Sequence, residues 1–341
     1  MKTCDPFKVG KGSTRRRSRA EALKLLYAQF NPKDRVLITI DPDPDSIAAA
    51  LALKRLLWHK VLSTTVGLTR PIKRLNNLTL VRLLRLPLTP IKPKALKEFD
   101  KFLLVDGQPQ HNEMFANIRY TAVIDHHPPI CEINAPFVDI RPEYGATATI
   151  MTEYLQTVAI KPSKTLATAL IYGIKTDTRN FERHCLLDDV KAFHYLFGKA
   201  NLNIIRKVEI SDLALKDLNC FERALRVKRV VKDRIYAHLD KVASHDILVI
   251  IAEFLLKVHD ISWSIVSGIH ADLLIVVIRN DGYRKDAGRT IAKAFEDLGS
   301  AGGHKAMARA EIPLEHLKTV LSRPTPAAIE RFVRERISSH S

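Results

Sequence analysis

Three short apolar runs in this chain each break off at an aspartate. Ile38-Thr39-Ile40 leads into Asp41-Pro42-Asp43-Pro44-Asp45, Leu103-Leu104-Val105 into Asp106, and Ala122-Val123-Ile124 into Asp125-His126-His127. Carboxylates brought face to face repel and resist ionisation unless a cation sits among them. Oxygen donors with one or two imidazoles suit Mn²⁺ or Mg²⁺ better than a thiolate-seeking ion. Two such ions about 3.5 to 4 Å apart can generate hydroxide near neutral pH and stabilise both the attacking and the leaving oxygen at phosphorus. An aspartate after a strand is also ordinary turn and helix-capping chemistry, which is the better account of any one of them alone. Three coincident strand-end aspartates, one of them followed by two histidines, favour the metal.

Such chemistry requires the three ends to meet. The β-rich runs at 36–40, 64–68, 102–105, 121–124 and 137–140 alternate with helical patterns at 46–58, 145–155 and 165–176, after an amphipathic segment at 20–30. Strands separated by helices predict an α/β fold with a doubly wound, mainly parallel sheet. In such a sheet the functional crevice lies outside the carboxyl ends of the strands, where all three aspartates fall. Ser46 is placed to cap the first of these helices. The texture changes after Phe181. A helical connector is expected over 188–231, then a smaller α+β domain over 232–341, with strands at 234–239, 261–269 and 272–278, a helix at 246–257 and Gly268 near the hairpin turn. The α/β domain proper spans 18–187, and 1–17 reads as a flexible basic tail.

The 341 residues carry 54 Lys+Arg against 37 Asp+Glu, a formal charge of +17. Residues 1–35 hold ten basic and three acidic side chains, and 54–101 hold twelve and two. The excess favours an anionic partner without deciding between nucleic acid and small phosphates. Arg70, Lys73 and Arg74 follow a strand and could steer polyanions to its carboxyl end. No apolar run approaches a membrane span, and no secretory leader is evident. Cys4, Cys131, Cys185 and Cys220 make no close pair, so a reduced, cytoplasmic protein without structural zinc is expected. His59, His111, His184, His245, His259 and His270 have no ligand-like spacing. Trp58 and Trp263 are expected to pack, the first closing a helix against the sheet.

Pro42-Asp43-Pro44-Asp45-Ser46, Asp106-Gly107, Asp125-His126-His127 and Gly173-Ile174-Lys175-Thr176-Asp177-Thr178 together resemble the four successive motifs of the DHH phosphoesterase superfamily. Tyr144-Gly145-Ala146-Thr147-Ala148-Thr149 is similar to the family's helix opening after the third motif, and Gly302-Gly303-His304 resembles the Gly-Gly-His loop of its C-terminal substrate-binding domain. The likeness runs in order over roughly residues 20 to 315. It implies a phosphoesterase, usually with two Mn²⁺ ions (Mg²⁺ being the alternative), whose active site lies in the cleft between two domains. By position, Asp106 would bridge the metals, Asp43 would hold one, and Asp45, His126 and Asp177 the other. The resemblance makes Asp106, His127 and Asp125 the catalytic set, His127 facing substrate and Asp125 orienting the histidines. Arg279, Gly302, Gly303 and His304 would bind substrate.

Two departures stand out. Many members carry a metal-binding histidine where this chain has Thr39, with Asp41 a further candidate ligand in its stead. Met307-Ala308-Arg309 replaces the usual Ala-Ala-Gly after the Gly-Gly-His loop. The implied function is hydrolysis of phosphate esters in nucleotides or short oligonucleotides, such as nanoRNA or 3'-phosphoadenosine-5'-phosphate. The alternatives are a non-catalytic nucleotide sensor or nucleic-acid-binding relative and, among enzymes, a cyclic-dinucleotide phosphodiesterase, single-strand exonuclease or polyphosphatase. The expected partners are nucleotides or short single strands rather than a membrane, and the sequence leaves homo-oligomerisation open.

Overall fold

In a computed structural model the described residues are 18–129, 131–183, 185–283 and 285–340. The basic tail at 1–17, His184 and Arg284 lie outside them. The chain divides into two compact units, Met1–Asp212 and Leu213–Ser341.

In the first unit, Val, Ile and Leu dominate the strands because both faces are covered. The strands β1 (Arg35–Ile40), β2 (Ser63–Leu68), β3 (Leu88–Pro90), β4 (Lys101–Val105), β5 (Ala122–Asp125) and β6 (Phe137–Ile140) form one sheet in the order β3-β2-β1-β4-β5-β6. Every pairing is parallel. The short β3 was not expected from sequence. Alternation along the strands sends Val36, Ile38, Ile40, Leu103, Val105 and Ile124 to one face. There they meet α1 (Arg19–Tyr27), α2 (Pro44–Leu56), α3 (Leu75–Leu84), α5 (Thr147–Thr157), α6 (Lys164–Asp177), α7 (Leu187–Phe197) and α8 (Leu202–Glu209). Leu104 and Val123 face the other way, onto Tyr120 and Phe115 of the single-turn α4 (Glu113–Ala116). The strand order reverses between β1 and β4, so the switch-point crevice opens between Ile40 and Val105.

The segment 188–231 is not one connector. Ala192, Leu196, Ile205 and Val208 of α7 and α8 belong to the first unit's core, whereas α9 (Leu218–Val227) places Ala224 in the second unit's. The amphipathic spacing was legible, but which sheet each helix would cover was not.

The second unit has the order β11-β12-β10-β9-β8-β7, comprising β7 (Arg229–Val231), β8 (Arg234–Lys241), β9 (Trp263–His270), β10 (Leu273–Asn280), β11 (Ser300–His304) and β12 (Met307–Pro313). Only β8 and β9 pair in parallel; the rest are antiparallel. α10 (Asp246–Leu256) packs with α9 on one face, and α11 (Ala287–Phe295), α12 (Leu314–Val320) and α13 (Pro326–Ser339) cover the other. The hairpin turns at Ala271, which has φ 52°, and not at Gly268. Gly268 lies inside β9, where a Cβ would come within 3.0 Å of Leu248 and 3.2 Å of the Asp240 carbonyl. It is there for close packing. No helix among the described residues is long and apolar enough to cross a membrane.

Candidate metal centre

Each acidic side chain at the switch point is held by a helix end. Asp43 is the N-cap of α2: its Oδ1 accepts the Ser46 amide at 2.8 Å, while Ser46 Oγ accepts the Asp43 amide at 3.1 Å. Ser46 is thus the reciprocating third residue of a capping box and not the cap. Asp45 is fully buried and reaches across to the start of α5, taking the Thr147 amide at 2.7 Å and the Ala148 amide at 2.8 Å. A carboxylate completes a helix N-terminus, so Asp45 joins α2 to α5.

Asp106 leaves β4 with φ 60° in the left-handed region, a conformation that aspartate tolerates better than most side chains. Thr147 Oγ1 donates to its Oδ1 at 2.8 Å. His126 follows β5, and its Nδ1 lies 3.1 Å from the Tyr144 carbonyl. A carbonyl only accepts, so Nδ1 carries the proton and Nε2 turns to the carboxylates: 3.0 Å from Asp177 Oδ2, at the end of α6, and 3.6 Å from Asp106 Oδ1. Nε2 is buried without a hydrogen-bond partner. Asp45, Asp106, His126 and Asp177 each offer a donor atom within 4.8 Å of the others.

The electrostatics are those of a site short of positive charge. Burial, then the charge of Asp177, pushes Asp43 up to about 6. Burial and the neighbouring carboxylates hold Asp45 and Asp106 well above the ordinary carboxylate range. At His126 burial opposes the charged ring, but the carboxylate of Asp177, 3.0 Å from Nε2, and the charge of Asp106 outweigh it and raise the imidazole to about 9. Three carboxylates and an unpartnered imidazole nitrogen in one buried cluster fit a divalent cation.

Gly173 makes room for the cluster. A Cβ there would lie 3.0 Å from Asp45 Cα and 3.1 Å from its Oδ1. Gly173→Val is expected to cost roughly 1–3 kcal/mol and to weaken cation binding by displacing the start of α2; thermal melts with and without Mn²⁺ would measure both.

Beside the cluster, Asp125 is fully buried and accepts from His127 Nδ1 at 2.8 Å, Gln108 Nε2 at 2.9 Å and the His126 amide at 2.9 Å. Burial would raise its carboxyl, but these bonds outweigh it and lower it. Asp125 therefore fixes the ring of His127. Gln108, wholly buried, was not singled out in the sequence, and His111, set aside there for lack of ligand-like spacing, is brought beside Asp125 and His127, its ring meeting His127 edge-on at 5.5 Å.

Other expected participants lie elsewhere. Asp41 is ion-paired with Arg70, Nη2 to Oδ2 at 2.8 Å, which also occupies one of the three basic residues expected to steer polyanions. Thr39 Oγ1 donates to the Leu103 carbonyl at 3.1 Å and lies 3.2 Å from Tyr120 Oη. Neither joins the cluster.

Asp189 supports the motif that opens α5. Fully buried, it accepts from the Gly145 amide at 2.9 Å, the Leu186 amide at 2.7 Å and Thr149 Oγ1 at 2.6 Å. Asp189→Ala leaves those donors buried and unpaired, so a loss of roughly 2–4 kcal/mol is expected in chemical denaturation. In the sequence it is one of two adjacent aspartates at a helix start, and nothing there separates the buried one from its neighbour.

In the second unit, Gly302, Gly303 and His304 belong to β11 and pair with β12. The expected tight loop is a strand because the hairpin turns later, between His304 and Met307. Gly303 has φ 153°, and a Cβ on it would lie 2.4 Å from the Met307 carbonyl. Gly288, at the start of α11, would with a Cβ meet the Gly303 carbonyl at 2.5 Å, so paired glycines let this helix end approach the strand. Arg279, on β10, donates to Glu253 at 3.2 Å, and Arg309 pairs with Glu311 at 2.7 Å. Trp263 is buried as expected, but Trp58 is 59% exposed and closes nothing against the sheet.

A parallel sheet whose switch point carries a cluster of carboxylates and imidazole defines an α/β domain with side chains suited to a divalent cation. Residues 35–174 match the DHH family, N-terminal domain, so the first unit carries a DHH family domain. An uncharacterized protein of Methanocaldococcus jannaschii is 32% identical over 303 residues, which are 89% of this chain. The match spans only 62% of that longer relative. The crystal structure of an exopolyphosphatase-related protein from Bacteroides fragilis is similar in fold, with a TM-score of 0.69 at 16% identity over 96% of this chain and 98% of that one. Exonuclease RecJ bound to manganese gives a TM-score of 0.46 at 15% identity, over 93% and 98% of the two chains.

Proposed function

We propose that this protein is a metal-dependent phosphoesterase that hydrolyses phosphate esters of nucleotides or short oligonucleotides. The observation that carries the proposal is the buried Asp45–Asp106–His126–Asp177 cluster, with His126 Nε2 unpartnered and the carboxyls of Asp45 and Asp106 pushed up. These four residues would hold one Mn²⁺ ion, and Asp43 with Asp106 a second; the metals would neutralise charge on the phosphoryl group and acidify a water. Asp106, whose carboxyl feels the charges of both Asp45 and Asp43, would serve both.

His127 is the residue that exchanges a proton with the substrate. Asp125 holds its Nδ1–H, which leaves Nε2 to give a proton to a phosphate oxygen or take one from it. Gln108 keeps Asp125 in line from the far side. In the second unit, Arg279, Gly302, Gly303 and His304 would be the residues that bind substrate.

A nucleotide sensor without hydrolytic activity is the second reading. It is favoured by Thr39 and Asp41, which spend their polar atoms on Leu103 and Arg70 and leave the Asp43 side poor in ligands. One experiment separates the two. Metal-stripped protein is given Mn²⁺ or Mg²⁺ and 3'-phosphoadenosine-5'-phosphate, dinucleotides, a five-nucleotide RNA, cyclic dinucleotides or polyphosphate. Metal-dependent release of phosphate or mononucleotide is expected. Nucleotide binding with no turnover under any metal would establish the sensor instead.

A further inference from the structure

A second concave site lies in the first unit, at the opposite end of its helices. A cavity of about 320 Å³ opens between the last turn of α2, the end of α3 and the first turn of α6. Its walls are apolar, with Leu51, Leu84, Leu86 and Leu166 among them, and Trp58 is its outer wall. α2 begins beside the acidic cluster and runs 13 residues away from it, so the two sites are about 20 Å apart.

The rim is cationic. Lys54, Arg55 and Arg85 all line the opening. Among the described residues none of the three is ion-paired with a carboxylate. Arg55 lies over the Trp58 ring at 4.3 Å from its centroid and the His59 ring stacks on the same indole at 4.3 Å, so a guanidinium, an indole and an imidazole are presented together at the rim. Arg85 projects from the left-handed cap of α3, with φ 50°. A further cation, Arg82, stands in the last turn of α3 before Arg85.

We propose that this cavity takes one base of a single-stranded nucleic acid, with Lys54, Arg55 and Arg85 holding the phosphates on either side of it. An apolar slot with an indole at its rim suits a base, which any sequence supplies. Three unpaired cations around the slot suit the backbone. A neutral apolar ligand would use the walls and leave the cations without purpose. A strand of several nucleotides, unlike a free nucleotide, also reaches the outlying Arg82.

The test reads Trp58 directly, because the chain has two tryptophans and Trp263 is 3% exposed. Full-length protein in EDTA, where no hydrolysis occurs, is titrated with an eight-nucleotide oligoadenylate and separately with adenosine monophosphate. Saturable quenching by the oligomer is expected, weakening with salt and absent in Trp58→Phe. Lys54→Glu and Arg85→Glu should each weaken oligomer binding about tenfold by fluorescence polarisation while leaving the melting temperature unchanged; both side chains are on the rim. The proposal is overturned if the oligomer leaves Trp58 unquenched, if the two charge reversals leave affinity unchanged, or if the mononucleotide binds as tightly as the oligomer. Because the assay needs neither metal nor turnover, its failure is distinct from failure of the phosphoesterase reading.

Discussion

Asp106→Ala is expected to lower phosphoester hydrolysis by at least about 10³-fold while the metal-free protein melts no lower than wild type. The activity loss follows from position, because Asp106 belongs both to the cluster with Asp45, His126 and Asp177 and to the group with His126 and His127. The retained stability follows from charge. Asp106 is buried among like charges that resist its ionisation, so its removal relieves repulsion and sacrifices mainly the hydrogen bond from Thr147. The stabilisation that Mn²⁺ confers on wild type should disappear in the variant. Asp41→Ala is the matching control: its carboxylate is tied to Arg70 outside the cluster, and turnover should stay within a few-fold. Steady-state rates and melts with and without Mn²⁺ on the two variants decide it; equal losses from both would contradict the geometry.

The second large effect is on pH. In the metal-free protein Asp43 is raised to about 6, Asp45 and Asp106 lie well above their usual range, and His126 is raised to about 9. A raised group binds more protons folded than unfolded, so its contribution is complete below its unfolded pKa and lost as pH climbs through its folded one. All four shifts have the same sign. His238, lowered to about 4 by burial, acts in the opposite sense below its ordinary value of about 6.5, so the metal-free melting temperature should fall from pH 7 to pH 9. Divalent cations bind deprotonated ligands, so the increment from saturating Mn²⁺ should grow over the same range. Calorimetry in EDTA and in Mn²⁺ would show two curves diverging with pH. A metal-free curve that rises over this window would contradict the shifts.

The sequence discloses most clearly what is local. The β-rich runs ending at Asp41, Asp106 and Asp125 show both the strands and the rim on which they end, because burial on both faces makes those runs apolar and a turn must follow. The Asp-His-His and Gly-Ile-Lys-Thr-Asp-Thr motifs carry His126 and Asp177, which the fold brings within 3.0 Å. What long-range packing decides was hidden. Asp45 caps a helix 102 positions further along, and Asp189 supports Gly145 from 44 positions away. Trp58 was expected inside because indole is usually buried, but a helix end beside an apolar slot leaves it 59% exposed. The Gly-Gly-His segment looked like a loop from its glycines, whereas those glycines serve a strand pressed against the start of α11.

The central claim is that the Asp45–Asp106–His126–Asp177 cluster is a hydrolytic metal site. The most direct measurement is the initial rate of 3'-phosphoadenosine-5'-phosphate and five-nucleotide RNA cleavage by metal-stripped protein as Mn²⁺ is added, with bound Mn²⁺ followed by equilibrium dialysis in the same samples. The expected result is no cleavage without metal, and turnover of at least one substrate rising in step with bound Mn²⁺, both lost in Asp106→Ala. Cleavage that persists in EDTA, or full Mn²⁺ binding with no cleavage of either substrate, would contradict it.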